Sequence, residues 1–473
     1  MKNHLFVFVL FTVFSIFSCT NETEEITTLE SNESTSITTD QRGGNRNNPQ
    51  NSNDATTVTQ WMDLFLELDR YAEGMRPNAT ARALAYMNLA AYETAAPGLP
   101  NFRSNTELLN DFSLEVTSDL DDINWQIALN ATMADVMQHF MLNVPDGYML
   151  KIDQLEATLA TSLSENESSI TVENSKAWGA SVASQVIEYS QTDAEAEAQI
   201  LEPQPLSYEP PTGDGYWTYS AEEERALFPY WGKVRTFIIS PEQTRSIPPI
   251  DYSEDENSRY FRQMQEVYEA NNTAREEDNE QLWIAEFWSD DVTNLTFSPP
   301  GRQISIANQL IDQYDLDLDE ALHLYLKLSF SLNDAAVATW KYKYQYMVMR
   351  PNVFIHEFID PNFQTNLYSL IPWPNPTFPG YPSGHSCFAS AAGGVFIDFV
   401  GNRGNFTDRS HEGREEFRST PRRFRSIEEM AEENAYSRIP LGVHIRMDCT
   451  EGLRLGYEIA DAVNRYDLRR RGA

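Results

Sequence analysis

The chain has 473 residues, 41% hydrophobic and 12% aromatic, enough to bury a large core in one domain or two. Its formal net charge is −36, which argues against nucleic acid or an anionic membrane surface as partners of the bulk of the protein. Three cysteines, Cys19, Cys387 and Cys449, make neither a disulfide framework nor a zinc pattern.

Residues 1–19 read as an export signal. Lys2 supplies the positive start, Leu5 to Phe17 an apolar core too short to span comfortably as a mature helix, and Cys19 follows directly. Residues 20–57, rich in Ser, Thr, Asn, Glu and Gly, read as a disordered tether. The folded part, 58–473, is expected to be all-α. Helical patterns begin at Trp61–Leu68 and Ala79–Ala96, the second closed by Pro97-Gly98. They continue through Ile123–Phe140, Gly147–Leu163 and Ser175–Tyr189. Pro203 to Pro249, rich in Pro, Gly and aromatics, is expected to wrap the surface irregularly. Helix returns at Arg259–Ala270, Glu277–Trp288 and Ile304–Tyr314.

Leu316–Met349 is the longest candidate. Leu322, Leu324, Leu326, Leu328, Phe330 and Leu332 alternate as in a strand, but the length without Pro or Gly and the Leu, Ala, Lys and Glu content favour a helix buried on several faces. Lys343 and Arg350 are seven residues apart, two turns on one helical face, and Pro351 is expected to end the helix. The segment between them is largely apolar, so the two cations are expected to emerge from a buried surface.

Phe378-Pro-Gly-Tyr-Pro-Ser-Gly-His385 stops helix and then opens one. Backbone N–H groups at such an end form an anion seat. Gly384 allows close approach, Ser383 adds a hydroxyl, and His385 titrates near neutrality. A plain helix cap is the alternative reading of the stretch alone. In Ser437-Arg438 to His444, Pro440 and Gly442 are expected to form a turn. His444 is then expected to open a helix with Asp448 one turn on, where a carboxylate can hold one ring nitrogen and leave the other free.

Together, Lys343-x6-Arg350-Pro351, Pro382-Ser383-Gly384-His385 and Ser437-Arg438-x5-His444-x3-Asp448 resemble the tripartite signature of vanadium-dependent haloperoxidases, of bacterial type, and of type 2 phosphatidic-acid-phosphatase-like acid phosphatases. Ala81-Arg82-Ala83-Leu84-Ala85, Phe287-Trp288-Ser289-Asp290-Asp291 and Asn333-Asp334-Ala335-Ala336 extend the resemblance toward the haloperoxidases, from about Val58 to the C-terminus. The resemblance implies an all-α bundle holding one vanadate. Lys343, Arg350, Ser383, Gly384 and Arg438 would bind its oxygens, His444 would bind the vanadium, and His385 would act as acid–base. Lys343 would polarise the peroxide, so the catalytic set is Lys343, His385, His444 and Asp448. Trp340 and Phe378 resemble the halide side of that pocket, with core packing as the alternative.

Asp290 or Asp291 is expected to orient Arg438 or His385. The Ser18-Cys19 end resembles a lipobox, implying a lipid at Cys19 as the only membrane attachment; Phe17 departs from the usual small residue, and ordinary cleavage is the alternative. Cys387 and Cys449 read as two buried thiols, with pairing as the alternative. Hydrogen peroxide and a halide, iodide or bromide, are the implied substrates of an exported enzyme. An acid phosphatase with His444 as nucleophile and a non-catalytic surface protein with a relic site are the competing classes. Halide choice, organic acceptor and oligomeric state are left open by the sequence.

Overall fold

A computed structural model describes residues 54–470, except 110, 117–119, 220–223, 277–278, 291, 293, 368–374 and 417. The expected leader 1–19 with Cys19, nearly all of the tether, and Asp291 lie outside the described residues.

The fold is helical, as expected. The first half runs α1 (Thr56–Asp69), α2 (Asn78–Ala95), α3 (Trp125–Phe140), α4 (Asp146–Ser164), α5 (Ser169–Gln191) and α6 (Ala194–Leu201). The segment after α6 is irregular apart from one 3₁₀ turn and α7 (Pro241–Thr244). Then come α8 (Arg259–Ala274), α9 (Glu280–Phe287), α10 (Pro299–Tyr314), α11 (Leu318–Tyr346), α12 (Pro351–Phe358) and α13 (Gly384–Val400). A hairpin of β1 (Arg403–Asp408) and β2 (Arg422–Ser426) precedes α14 (Ile427–Leu441) and α15 (Arg446–Asn464). Among the described residues no helix is long and apolar enough to cross a membrane.

α11 is the spine. Asp317 and Glu320 form a reciprocal capping box at its start. From Ala321 to Trp340 every residue is buried, because α2, α13 and α15 cover different faces of this helix. The alternating leucines are thus the mark of a helix surrounded by others.

α13 and α15 pack against each other more extensively than any other pair. A Cβ on Gly452 would lie 2.5 Å from the Ser383 carbonyl oxygen, and one on Gly456 would lie 2.1 Å from Ser390 Oγ. Only glycine permits this approach of the two backbones. It brings the start of α13 against the start of α15, where Ser383 N–H donates to the Asp448 carbonyl at 2.9 Å.

Three expectations are corrected. α11 does not run to Pro351: Met347 turns left-handed (φ 52°) and ends it, and Pro351 begins α12, with its ring at the N1 position where no N–H is needed. Lys343 and Arg350 therefore do not share one helical face. Pro440 lies inside α14, and the turn is made by Gly442 (φ 93°). The 203–249 segment is not confined to the surface. Trp217, Phe228 and Trp231 are buried, and the Asp334 carboxylate in α11 ties the segment down by accepting N–H bonds from Phe237, Ile238 and Ile239 at 2.8–2.9 Å.

Candidate functional site: a buried cationic cradle

Lys343 lies in the last turn of α11 with its ammonium fully buried. It donates to the carbonyls of Pro379 and Gly380 at 2.9 and 3.1 Å. Arg350, the residue before α12, donates from Nε to Phe378 O at 3.0 Å and from Nη1 to Val443 O at 2.9 Å. Nη1 also lies 3.1 Å from His444 Nε2. Arg438, in the last turn of α14, donates to Trp288 O at 3.1 Å. So three cations reach one place from three different segments, and all are buried.

Ser383 caps α13, and its Oγ accepts from Ser386 Oγ at 2.9 Å and Ser386 N–H at 3.4 Å. The cap and the anion-seat readings are thus compatible, since the Ser383 hydroxyl keeps its own proton to donate. Gly384 is the first residue of α13, and His385 follows it. His444 stands two residues before α15. Its Nδ1 lies 3.0 Å from Asp448 Oδ2, which also accepts the Ile445 N–H at 3.1 Å. With Nδ1–H donated to the carboxylate, Nε2 carries the lone pair.

Burial and neighbouring cations set the charge states. His385 and His444 are held well below the ordinary imidazole value, first by burial and then by Arg438 and Arg350 respectively. Both are neutral at neutral pH. Burial also lowers Lys343 well below the usual ammonium value and brings Arg350 down to about 9. Arg350 Nη2 and His385 Nε2 are buried without a partner among the described residues. A cluster of buried cations with donors left over is the surrounding an oxyanion would satisfy, taking those hydrogen bonds and offsetting the repulsion. Among the described residues no group of three His, Cys, Asp or Glu side chains is arranged for a bare metal cation.

Gly384, His385, Arg438 and His444 line a cavity of about 480 Å³. Its wall includes Trp340 and Phe378, whose rings are 4.8 Å apart, with Lys343 Nζ 5.7 Å and 5.2 Å from their centroids. The two rings pack against each other and also face the cavity. Leu227, from the irregular segment, completes this wall and accepts hydrogen bonds from Trp340 Nε1 and Tyr344 OH at 3.3 and 2.7 Å.

Asp290 also lines the cavity but pairs with Arg302, not with Arg438 or His385. Arg302 donates to it from Nη2 at 2.9 Å and from Nε at 3.1 Å, and lies 3.3 Å from Asp408 of β1. Arg438 is a neighbouring positive charge that favours the ionised form of Asp290. Sequence reasoning missed Arg302 and Asp408, which carry no local motif. Cys387 and Cys449 are both free and buried, and burial pushes each thiol up to about 12.

Fold and site together define a helical-bundle protein built around a buried cationic cradle. Residues 323–470, which contain every cradle residue, match the family model described as the VCPO second helical-bundle domain. A bacterial vanadium-dependent iodoperoxidase structure is similar over 88% of this chain and 97% of its own, with TM-score 0.75 and 24% identity. A holo-type bacterial vanadium-dependent chloroperoxidase is similar over 83% and 92%, with TM-score 0.62 and 15% identity. The apo-type chloroperoxidase gives 83% and 94%, TM-score 0.62 and 16% identity. No curated protein sequence matches the chain. The chain has the vanadium haloperoxidase fold.

Proposed function

We propose that this chain is a vanadate-dependent haloperoxidase that oxidises iodide or bromide with hydrogen peroxide to hypohalous acid. One observation carries the reading: the buried Lys343, Arg350 and Arg438 converge on His385 and His444, and both histidines line an aromatic-walled cavity. Bound vanadate would supply a Lewis acid that activates peroxide without changing oxidation state. The three cations, the Ser383 hydroxyl and the Gly384 N–H would hold its oxygens, and Nε2 of His444 would bind the vanadium. Arg350 Nη1 is 3.1 Å from that nitrogen and would turn its donors to the ligand.

His385, whose Nε2 has no partner among the described residues, would take a proton from incoming hydrogen peroxide and return one as water leaves. Lys343 would polarise the peroxide held there. Asp448 keeps the His444 proton on Nδ1. Trp340 and Phe378 exclude water from the halide side. The sum is peroxide, halide and a proton giving hypohalous acid and water. Export, with a lipid on Cys19, belongs to the same reading, and mass spectrometry of the mature N-terminus tests it.

The same donors suit phosphate, so the assay has two arms. Apo-protein loaded with orthovanadate is tested for peroxide-dependent iodide and bromide oxidation, and for hydrolysis of a phosphate monoester. Halide oxidation that saturates with vanadate is expected. Phosphate-ester turnover with no halide oxidation would make the chain a phosphatase with His444 as nucleophile. Binding of vanadate with neither activity would leave a relic site.

A further inference from the structure

A second polar cavity lies near the other end of α11, twenty residues before Lys343 along that helix, or about 30 Å at 1.5 Å per residue. It measures about 380 Å³ and is lined by His323, Lys327, Glu320, Asp398, Asp467 and Arg469, among others. His323 and Lys327 are one turn apart and so share a face. They are the buried members, 5% and 4% exposed, while the three acids and Arg469 are exposed.

The imidazole of His323 lies between Phe102 and Phe399, ring centroids 5.3 and 5.0 Å away, each edge-on. Neither of its ring nitrogens has a partner among the described residues. Leaving such groups buried and unpaired is costly, which calls for something in the cavity to meet them. Lys327 Nζ donates to Asn464 O at 3.1 Å, and its nearest carboxylate, Asp398, is 3.8 Å away and half exposed. The Lys327 charge is therefore only partly offset, by a carboxylate that water screens.

We infer that this cavity is a binding site for a small monovalent anion, of the halide or short carboxylate kind, held on its floor by His323 and Lys327. The neutral imidazole donates one N–H and Lys327 donates from its ammonium. Burial first, then the Lys327 and Arg469 charges, hold His323 down at about 3, so the imidazole is neutral there. The exposed acids at the rim select against larger charge: a phosphate or sulfate dianion would meet Glu320, Asp398 and Asp467. The inference does not rest on the haloperoxidase reading, because it concerns binding and not turnover.

The test has two parts. Crystals of the full chain soaked in sodium bromide should show an anomalous bromine peak between His323 and Lys327. Its absence there, with peaks at other sites in the same crystal, would overturn the inference. In solution, bromide or acetate should raise the melting temperature saturably in vanadate-loaded protein, and phosphate should not. Lys327→Met should weaken the apparent bromide affinity by roughly tenfold, the order of one charge-assisted hydrogen bond. His323→Phe should weaken it too. An equal bromide effect in wild type and Lys327→Met, or an equal response to phosphate, would count against the site. If either variant fails to fold, the wild-type crystal still decides.

Discussion

His444 Nδ1 and Asp448 Oδ2 are 3.0 Å apart, one turn of sequence separating them, and both side chains are buried. The carboxylate does two jobs, fixing the ring tautomer and accepting the Ile445 N–H at the start of α15. Asp448→Asn keeps the shape and removes the charge. Affinity for orthovanadate, measured by calorimetry, should fall about 10- to 100-fold, the usual cost of losing the carboxylate behind a liganding histidine. A circular dichroism melt on the same sample checks that the loss is not unfolding. Unchanged affinity would remove Asp448 from the site.

Arg302 is wholly buried between Asp290 and Asp408, joining the cavity wall to the hairpin. Arg302→Met strands two buried carboxylates, and urea unfolding should show a loss of about 3–5 kcal/mol. Adding Asp290→Asn and Asp408→Asn to it should return a large part of that, since the stranded charges go with them.

Gly452 and Gly393 offer a matched pair. Alanine at 452 puts its methyl 2.5 Å from the Ser383 carbonyl oxygen, whereas alanine at 393 meets nothing nearer than 3.5 Å. Gly452→Ala should cost about 1–3 kcal/mol or more, because backbone cannot yield as a side chain can. It should also weaken vanadate binding by parting α13 from α15. Gly393→Ala should be neutral or stabilising by up to about 1 kcal/mol, from helix propensity. Equal melting temperatures for the two variants would contradict the packing described.

His323 gives a pH prediction. Its folded value, about 3, lies below the unfolded value of 6.5, so the unfolded chain binds more protons between them. Its stability contribution is complete above pH 6.5 and is lost as pH falls toward 3. In halide-free buffer, His323→Phe should lose less stability than wild type between pH 6.5 and 4, by up to about 3 kcal/mol. Parallel curves for the two proteins would show that the histidine does not titrate in that way.

Much of the cradle was legible because its members sit in short motifs. Lys343, Arg350, Ser383, Gly384, His385, Arg438 and His444 are all brought to one place. The long-range parts were not legible. Tyr344 to Met349 has nothing to signal a stop, since the left-handed residue is Met347 and not glycine. The turn is stabilised from afar, with Trp217 N–H donating to Met347 O at 2.6 Å and Met349 N–H to Gly215 O at 2.9 Å. The hairpin was hidden by its charge: β2 reads Arg-Arg-Phe-Arg-Ser, and only its pairing across Phe406 and Phe424 makes it a strand. Arg302 follows Pro-Pro-Gly at a helix start and gains meaning only where α10, Asp290 and β1 meet.

The contrast between a chain of net charge −36 and its buried cluster of three cations has a kinetic consequence. An approaching halide meets a repulsive field outside and an attractive one only within the last Debye length, about 10 Å at 0.1 M salt. Inert salt weakens the outer field before it reaches the inner one. The rate of halide capture should therefore climb as ionic strength is raised from low values, the reverse of electrostatic steering between opposite charges.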